Sequence, residues 1–142
     1  MQIIYGVSSN DIGQEIGGWF SEKQNKPVYP PYSNIMWVKD QKPVGAVLFN
    51  DYTGSSIEVH FHLPGLLNRE VSGTVARYVF DQSRCNTLIG RIHRKNKKLL
   101  GVINRLGFKY LTVIPKYFGP EKENDAIMYY TNKEMFYNKW VR

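Results

Sequence analysis

The sequence predicts one α/β (α+β) domain with a mixed central sheet of about six to seven strands and flanking helices. Its 142 residues suit a single domain, so the predicted boundary is 1–142. Hydrophobic residues make up 42% and charged residues 22%, as in ordinary globular proteins. Along the chain, short runs in which apolar and polar residues alternate, as in strands, are followed by segments in which apolar residues recur at helical spacing. Together these features favour strands and helices packed around one core.

The first elements are a strand and a helix that contains glycine. Gln2 to Val7 has the pattern of a strand, and residues 8–10 offer helix N-caps. Apolar residues then recur at a four-residue spacing, at Ile12, Ile16 and Phe20. Three glycines lower the helix propensity of this segment. The stretch from Lys26 to Asn34 combines prolines with tyrosines and predicts an aromatic loop.

Three strands follow, and an antiparallel meander is their simplest topology. Their predicted spans are Asn34–Lys39, Val44–Asn50 and Ile57–Leu63. Trp37 lies on the first of them and is predicted to be a core residue. The third alternates strictly, with Ile57, Val59, Phe61 and Leu63 on one face and Glu58, His60 and His62 on the other.

The second half alternates helices and strands. Asn68 is a suitable N-cap for a helix that runs to about Gln82. A strand at Cys85–Ile92 comes next, and Asn96 opens a helix that ends at Gly107. The last two predicted strands are Phe108–Ile114 and Ala126–Thr131.

The charge of the chain is strongly positive and uneven. The formal net charge is +7, and one stretch without acidic residues holds Arg91, Arg94, Lys95, Lys97, Lys98 and Arg105. Such a patch attracts a polyanion such as a nucleic acid, an anionic membrane surface or a phosphorylated cofactor, or it is a solvated helix face. No zinc-finger, helix-turn-helix or RNA-binding signature accompanies it, so nucleic acid is not the favoured partner.

Membrane and redox features are few. No apolar run approaches the roughly 20 residues that span a bilayer, and the first residues lack a signal-peptide pattern. Cys85 is the one cysteine, which predicts a small core residue. A cytoplasmic protein with no membrane partner is the default expectation.

The segment Leu88–Phe108 resembles a part of the GNAT (GCN5-related N-acetyltransferase) family. Asn96 precedes Phe108 by twelve residues, as in the family pattern, and Asp125–Tyr129 resembles the last strand of the family. The element order also matches over nearly the whole chain. The resemblance implies a fourth and a fifth strand that are parallel and splay apart, with acetyl-CoA as the cosubstrate.

The resemblance also implies a set of cofactor-binding residues. Asn96 can cap its helix, bond to the cofactor through its amide, or do both. Cations on the first turns of that helix would lie near the cofactor phosphates. The implied cofactor-binding residues are Phe61, His62, Leu63, Asn68, Arg69, Glu70, Val71, Arg94, Asn96 and Lys98.

Two departures from the family pattern concern phosphate binding and the general acid. The family motif Q/R-x-x-G-x-G/A falls on Leu63–Gly73, where the glycine spacing differs and the Glu70 carboxylate opposes a phosphate. The family tyrosine that protonates the leaving thiolate falls on Ile103. Tyr117 or Tyr110 could replace this tyrosine as the general acid, and Tyr117 is the predicted catalytic residue.

Glu58 and His60 are the candidate general bases, because bases in this family often project from the fourth strand. Glu58, His60 and His62 also have the spacing of a metal site, although no metal is predicted because no cysteine or third histidine lies nearby in the sequence. A solvent-facing strand side is the remaining alternative. Tyr29 and Tyr32, in the aromatic loop, are candidates for substrate contact.

The predicted function is therefore transfer of an acetyl group from acetyl-CoA to a primary amine, on a small molecule or a protein. One alternative is a divergent or viral-type GNAT-like protein that has lost catalysis and serves in binding or structure, for example in a virion. A basic nucleic-acid-binding protein is the second. The acceptor and the oligomeric state are not predicted.

Overall fold

The computed structural model describes residues 1–141 as a mixed seven-stranded sheet with flanking helices. The strands are β1 (Gln2–Val7), β2 (Ser33–Lys39), β3 (Lys42–Asn50), β4 (Ser56–His62), β5 (Thr87–His93), β6 (Lys109–Ile114) and β7 (Ala126–Asn132). Their order in the sheet is β1-β2-β3-β4-β5-β7-β6. The helices are α1 (Asp11–Gln24), α2 (Arg69–Ala76), α3 (Lys97–Leu100) and α4 (Asn138–Trp140). The chain divides into two compact units, which we call the first unit and the second unit.

The first unit comprises Met1–Tyr52 and Val59–Leu67. Strand β2 pairs antiparallel with both β1 and β3. Asp40 and Gln41 both have positive φ, at 51° and 66°, which is the backbone of a tight two-residue hairpin. The side chains of α1 pack on this sheet through Ile16 and Phe20. Trp37 is 1% exposed, which confirms it as a core residue.

Two of the glycines in α1 allow close approach to neighbouring segments. A Cβ at Gly13 would overlap the backbone of Val7, and a Cβ at Gly17 would overlap the hydroxyl of Tyr32. Asn34 Nδ2 donates to the Gly13 carbonyl at 3.0 Å, which fixes the helix against β2. These glycines lower helix propensity, but they let the helix backbone lie directly on its neighbours.

The second unit begins with residues 53–58 and resumes at residue 68. Ser56, Ile57 and Glu58 of β4 pair in parallel with Thr87, Leu88 and Ile89 of β5, as predicted for these neighbours. Strand β7 pairs antiparallel with β5 and with β6. Helix α2 continues without a break into a π-helical stretch at Arg77–Gln82.

The helix that opens at Asn96 is shorter than predicted. Helical bonding covers Lys97–Leu100, and turns occupy the chain as far as Gly107. The bonds there mix spacings, with the Val102 amide donating to Leu99 three residues back and Ile103 donating to Leu99 four residues back. The irregular backbone buries two apolar side chains, since Ile103 is fully buried and Leu106 is 7% exposed. Burial of these side chains therefore favours the turns over a regular helix.

The C-terminal segment is helical, which the sequence analysis did not predict. Lys133–Tyr137 is π-helical and leads into α4. Phe136 is 2% exposed and its ring lies 5.5 Å from that of Phe108. Trp140 Nε1 donates to the Leu106 carbonyl at 2.7 Å. Within residues 1–141, no helix has the length and apolar content needed to cross a membrane.

Candidate active site

A buried ion pair joins β4 to β5 in the second unit. Glu58 is the last β4 residue paired with β5, and its partner is Ile89. Because side chains two residues apart share a strand face, Arg91 projects on the same side as Ile89 and Glu58. Arg91 Nη1 lies 2.5 Å from Glu58 Oε2, and the two side chains are 22% and 4% exposed. The solvent-facing interpretation of this strand side is therefore wrong for Glu58.

Arg91 also contacts Tyr117 in the loop between β6 and β7. The guanidinium carbon lies 5.7 Å from the centre of the Tyr117 ring. Tyr117 is 49% exposed, whereas Ile103, at the position of the family acid, is fully buried. Glu58 and Tyr117, two of the three predicted catalytic residues, are thus brought to one guanidinium.

The loop that carries Tyr117 is fixed on both sides of it. The Phe118 ring stacks on His93 of β5, with centroids 5.0 Å apart and planes inclined by 20°. The Lys116 amide donates to Asp125 Oδ1 at 2.8 Å. The Phe118 amide donates to the Asn124 carbonyl at 2.9 Å. The backbone of this loop is therefore held independently of Arg91.

His60, the third predicted catalytic residue, belongs to the first unit. Its Nε2 lies 3.2 Å from Asn50 Oδ1. Since an amide oxygen can only accept, we assign the proton of neutral His60 to Nε2 and the lone pair to Nδ1. His60 therefore has the tautomer of a base that accepts at Nδ1.

His62 has the opposite tautomer. Gln24 Nε2 lies 3.0 Å from His62 Nδ1 and donates to it, which leaves the proton of neutral His62 on Nε2. Burial lowers the pKa of His62, and the charge of Lys23 lowers it further. Trp19 meets the imidazole edge-on, with ring centroids 5.6 Å apart. His62 is therefore a neutral donor near pH 7 rather than a base.

The backbone around His62 is tied to α1. The Phe61 carbonyl accepts a long bond of 3.4 Å from Gln24 Nε2. Phe61 is half-buried and Leu63 is 8% exposed. Gln24 therefore positions two of the predicted cofactor-binding residues, and the sequence analysis did not single it out.

At the N-terminus of α2, a side chain of the protein itself accepts a hydrogen bond from a backbone amide. Asn68 Oδ1 accepts from the Val71 amide at 2.9 Å, so the predicted N-cap is confirmed. The same bond occupies the Val71 amide, one of the groups predicted to bind phosphate. Arg69 donates to the Lys139 carbonyl at 3.3 Å and lies 5.8 Å from the Trp140 ring. Glu70 is exposed in the first turn.

The predicted cofactor residues near α3 are more exposed. Asn96 Oδ1 accepts from the Leu99 amide at 3.2 Å, so its capping role is confirmed. Asn96 and Lys98 are both exposed. Arg94 is 43% exposed and pairs with Asp125 at 3.1 Å, which balances its charge. The exposed lysines of α3 therefore carry most of the cationic character here.

The two tyrosines predicted to contact substrate differ in burial. Tyr29 is 75% exposed. Tyr32 is partly buried, packs against the core cluster around Ile16 and Phe20, and places its hydroxyl against Gly17. Tyr32 therefore has a packing role in the first unit.

Arg91 is the main residue that sequence reasoning missed, since it was grouped with the cationic patch. The signal was available: alternation along β5 buries Leu88, Gly90 and Ile92 and turns Arg91 toward the strand face of Glu58. Across the part of the chain that is described, no group of three His, Cys, Asp or Glu side chains has metal-site geometry.

Comparisons with known proteins find likeness in structure rather than in sequence. No protein-family model matches the chain, and no curated protein matches it in sequence. A chimera of spermidine N-acetyltransferase SpeG from Vibrio cholerae and hSSAT superimposes with a TM-score of 0.69, covering 99% of each chain at 13% identity. Spermidine N-acetyltransferase from Vibrio cholerae, in complex with CoA and spermine, gives 0.68 over 94% of this chain and 97% of its own, at 13% identity.

A third solved structure belongs to another organism. N-acetyltransferase PseH from Campylobacter jejuni, in complex with acetyl coenzyme A, gives a TM-score of 0.56 at 19% identity. The likeness covers 86% of this chain and 81% of that one. At such identities a likeness establishes architecture, and all three structures are of acetyltransferases. The chain therefore has the GNAT fold, which confirms the predicted fold class.

Proposed function

We propose that this chain is an N-acetyltransferase, a single domain over residues 1–142, that transfers acetyl from acetyl-CoA to a primary amine in the cytoplasm. The observation that carries the proposal is the shared fold, which extends over nearly the full length of this chain and of acetyltransferases solved with CoA or acetyl-CoA. The acceptor is an amine of a small molecule or a protein.

The residues around α3 suit the phosphates of acetyl-CoA. Lys97 and Lys98 are exposed cations on its first turn, and Asn96 keeps an amide group that can donate after its oxygen has capped the helix. The start of α2 suits phosphate less well, because Asn68 occupies the Val71 amide and Glu70 is anionic. We therefore assign the phosphates chiefly to Asn96, Lys97 and Lys98. Arg94, whose charge is balanced by Asp125, contributes less, as do Asn68, Arg69, Glu70 and Val71.

The rest of the cofactor is assigned to β4. Main-chain groups of Phe61, His62 and Leu63 would hold the pantetheine arm, and a backbone amide near His60 to His62 would stabilise the oxyanion. Tyr29, the more exposed of the two loop tyrosines, is assigned to the acceptor ahead of Tyr32.

Each chemical step has one residue in its role. The acceptor nitrogen attacks the thioester carbonyl carbon, and His60 Nδ1 takes the proton that the amine loses. As the tetrahedral intermediate collapses, the C–S bond breaks and the Tyr117 hydroxyl gives its proton to the departing sulfur. The products are an amide and CoA. Solvent then returns a proton to Tyr117 and removes one from His60.

The test is calorimetric titration with acetyl-CoA, followed by turnover on a panel of primary amines with release of the CoA thiol as the readout. We expect saturable binding, and we expect His60→Gln to reduce kcat about 100-fold with acetyl-CoA binding unchanged. Tyr117→Phe should reduce kcat by a similar factor. Tyr110→Phe, which removes the hydroxyl of the other candidate acid, should leave kcat unchanged.

Two results would contradict the proposal. Absence of binding at millimolar acetyl-CoA would remove the cofactor and with it the reaction. Binding without turnover on any amine would instead identify a protein that retains the fold but has lost catalysis.

A further inference from the structure

Arg91 lies between the two groups of the second unit to which the sequence assigned catalysis. Its guanidinium contacts the Glu58 carboxylate at 2.5 Å and the Tyr117 ring at 5.7 Å. We propose that Arg91 is a positioning residue: it uses Glu58 as a fixed counter-charge and holds the Tyr117 ring in place for proton donation. This inference rests on the proposed acetyltransferase function, and it removes Glu58 from the candidate bases.

The Glu58 carboxylate is placed to anchor a cation rather than to exchange protons. It is 4% exposed, and its Oε2 forms an ion pair with Arg91 Nη1 at 2.5 Å. Protonating it would remove the negative charge of that ion pair and leave the largely buried guanidinium without its counter-charge, which is costly away from water. A base must gain and lose a proton in every turnover, so this carboxylate is the poorer base and the better anchor.

The Tyr117 ring needs an anchor because its neighbourhood is open. The ring is 49% exposed, and the loop backbone is fixed on either side of it by Asp125 and Asn124. Those bonds hold the main chain, but they leave the direction of the ring to its side-chain contacts. Phe118 meets it at 4.9 Å with planes inclined by 87°, and Arg91 supplies a second contact.

An arginine suits both contacts at once. The guanidinium is planar, so it can bond to a carboxylate along an edge and lie near an aromatic ring with a face. A lysine would keep the positive charge next to Glu58 but would lose this planar contact with Tyr117. Arg91→Lys therefore separates the positioning of Tyr117 from the charge balance of Glu58.

The decisive experiment is a double-mutant cycle on kcat with Arg91→Lys, Tyr117→Phe and the combined variant. We expect Arg91→Lys to lower kcat about 10-fold while KM for acetyl-CoA is unchanged, because a misplaced acid affects the chemical step. In the Tyr117→Phe background, which keeps the ring but has no proton to give, Arg91→Lys should cost nothing further. An equal 10-fold loss in both backgrounds would overturn the proposal.

A second measurement does not depend on turnover. In protein labelled with ¹³C-tyrosine, the ring resonance of Tyr117, assigned by its loss in Tyr117→Phe, should shift in Arg91→Lys and stay in place in Arg105→Lys. Arg105 is exposed and serves as the matched control. An unshifted resonance in Arg91→Lys would overturn the positioning role even if the enzyme is active. If the resonance shifts but the protein has no turnover, the contact between Arg91 and Tyr117 is supported and the proposed acetyltransferase function is contradicted.

Discussion

Within this fold, each of the two units is stabilised internally by a different physical means. The first unit carries four of the nineteen Lys and Arg residues and five of the twelve Asp and Glu residues, so it is close to neutral. The second carries fifteen and seven, and its buried and half-buried charges are paired across strands and loops. Close backbone approach shapes the first unit, whereas placement of charge shapes the second. Substitutions that change volume should therefore damage the first, and substitutions that change charge should damage the second.

The largest effect is expected from Gly13→Ala in the first unit. The added methyl would overlap the backbone of Val7, so strand or helix must move, and we expect a loss of about 3 kcal/mol in the free energy of unfolding. Gly18, in the same helix, has open space around it. Gly18→Ala should stabilise the protein by about 0.5 to 1 kcal/mol through helix propensity alone. Urea unfolding of both variants measures the difference in their free energies of unfolding. Equal changes at Gly13 and Gly18 would contradict the importance of the close approach between Gly13 and Val7.

The next largest effect is expected from Glu58→Gln in the second unit. The substitution preserves volume but leaves the Arg91 charge unbalanced, and we expect a loss of about 2 kcal/mol because Arg91 keeps some contact with water. Asp125→Asn is the matched control, since its partner Arg94 is 43% exposed and that pair should contribute less than about 1 kcal/mol. Denaturant midpoints compare the two. A larger loss at Asp125 would show that burial does not govern the strength of these pairs.

A smaller effect separates the two functions of Asn96. Asn96→Ser keeps an oxygen for the helix cap but removes the amide, so the free energy of unfolding should change by only a few tenths of a kcal/mol. Affinity for acetyl-CoA, measured by calorimetry, should nevertheless fall about fivefold if the amide bonds to the cofactor. Asn10→Ser makes the same exchange at the N-cap of α1 and should leave that affinity unchanged. Unchanged affinity in both variants would reduce Asn96 to a capping residue.

The smallest effect concerns the pH dependence that His62 gives to the first unit. Burial and Lys23 lower its folded pKa, so the unfolded chain takes up a proton near pH 6.5 that the folded chain resists. This contribution to stability is complete above about pH 6.5, declines as the pH falls toward the folded pKa, and is constant below it. Stability curves of His62→Gln should lack that decline, and Lys23→Gln should reduce it. A decline of equal size in all three proteins would assign it to other groups.

The sequence was a good guide to elements whose signals are local. The three asparagine caps at residues 10, 68 and 96 and the strand bounds were predictable, because an N-cap and an alternating run act over a few residues. The short α3 was not, since the decision between helix and turns depended on burying Ile103 and Leu106 against distant segments. The C-terminal helical segment was missed for a similar reason, because Phe136 is ordered by Phe108 and Phe80.

The sequence proposed candidate site residues, but the contacts that these residues make could not be predicted from it. Glu58 and Tyr117 contact the same guanidinium, but it belongs to Arg91 on another strand, and the register of β4 with β5 brings Arg91 to Glu58. The tautomers of His60 and His62 depend likewise on Asn50 and Gln24, which lie 10 and 38 residues away in sequence. Alternation made those histidines look equivalent, whereas their hydrogen-bond partners give them opposite proton positions.

The single cysteine has a practical consequence for experiments on this chain. Cys85 is 4% exposed, and burial raises the pKa of its thiol, so little reactive thiolate is available near neutral pH. Reagents that report free CoA should therefore meet little background from the protein. For the same reason, a cysteine introduced by Lys116→Cys beside Tyr117 would take up a maleimide fluorophore selectively, and the natural chain could serve as its own unlabelled reference.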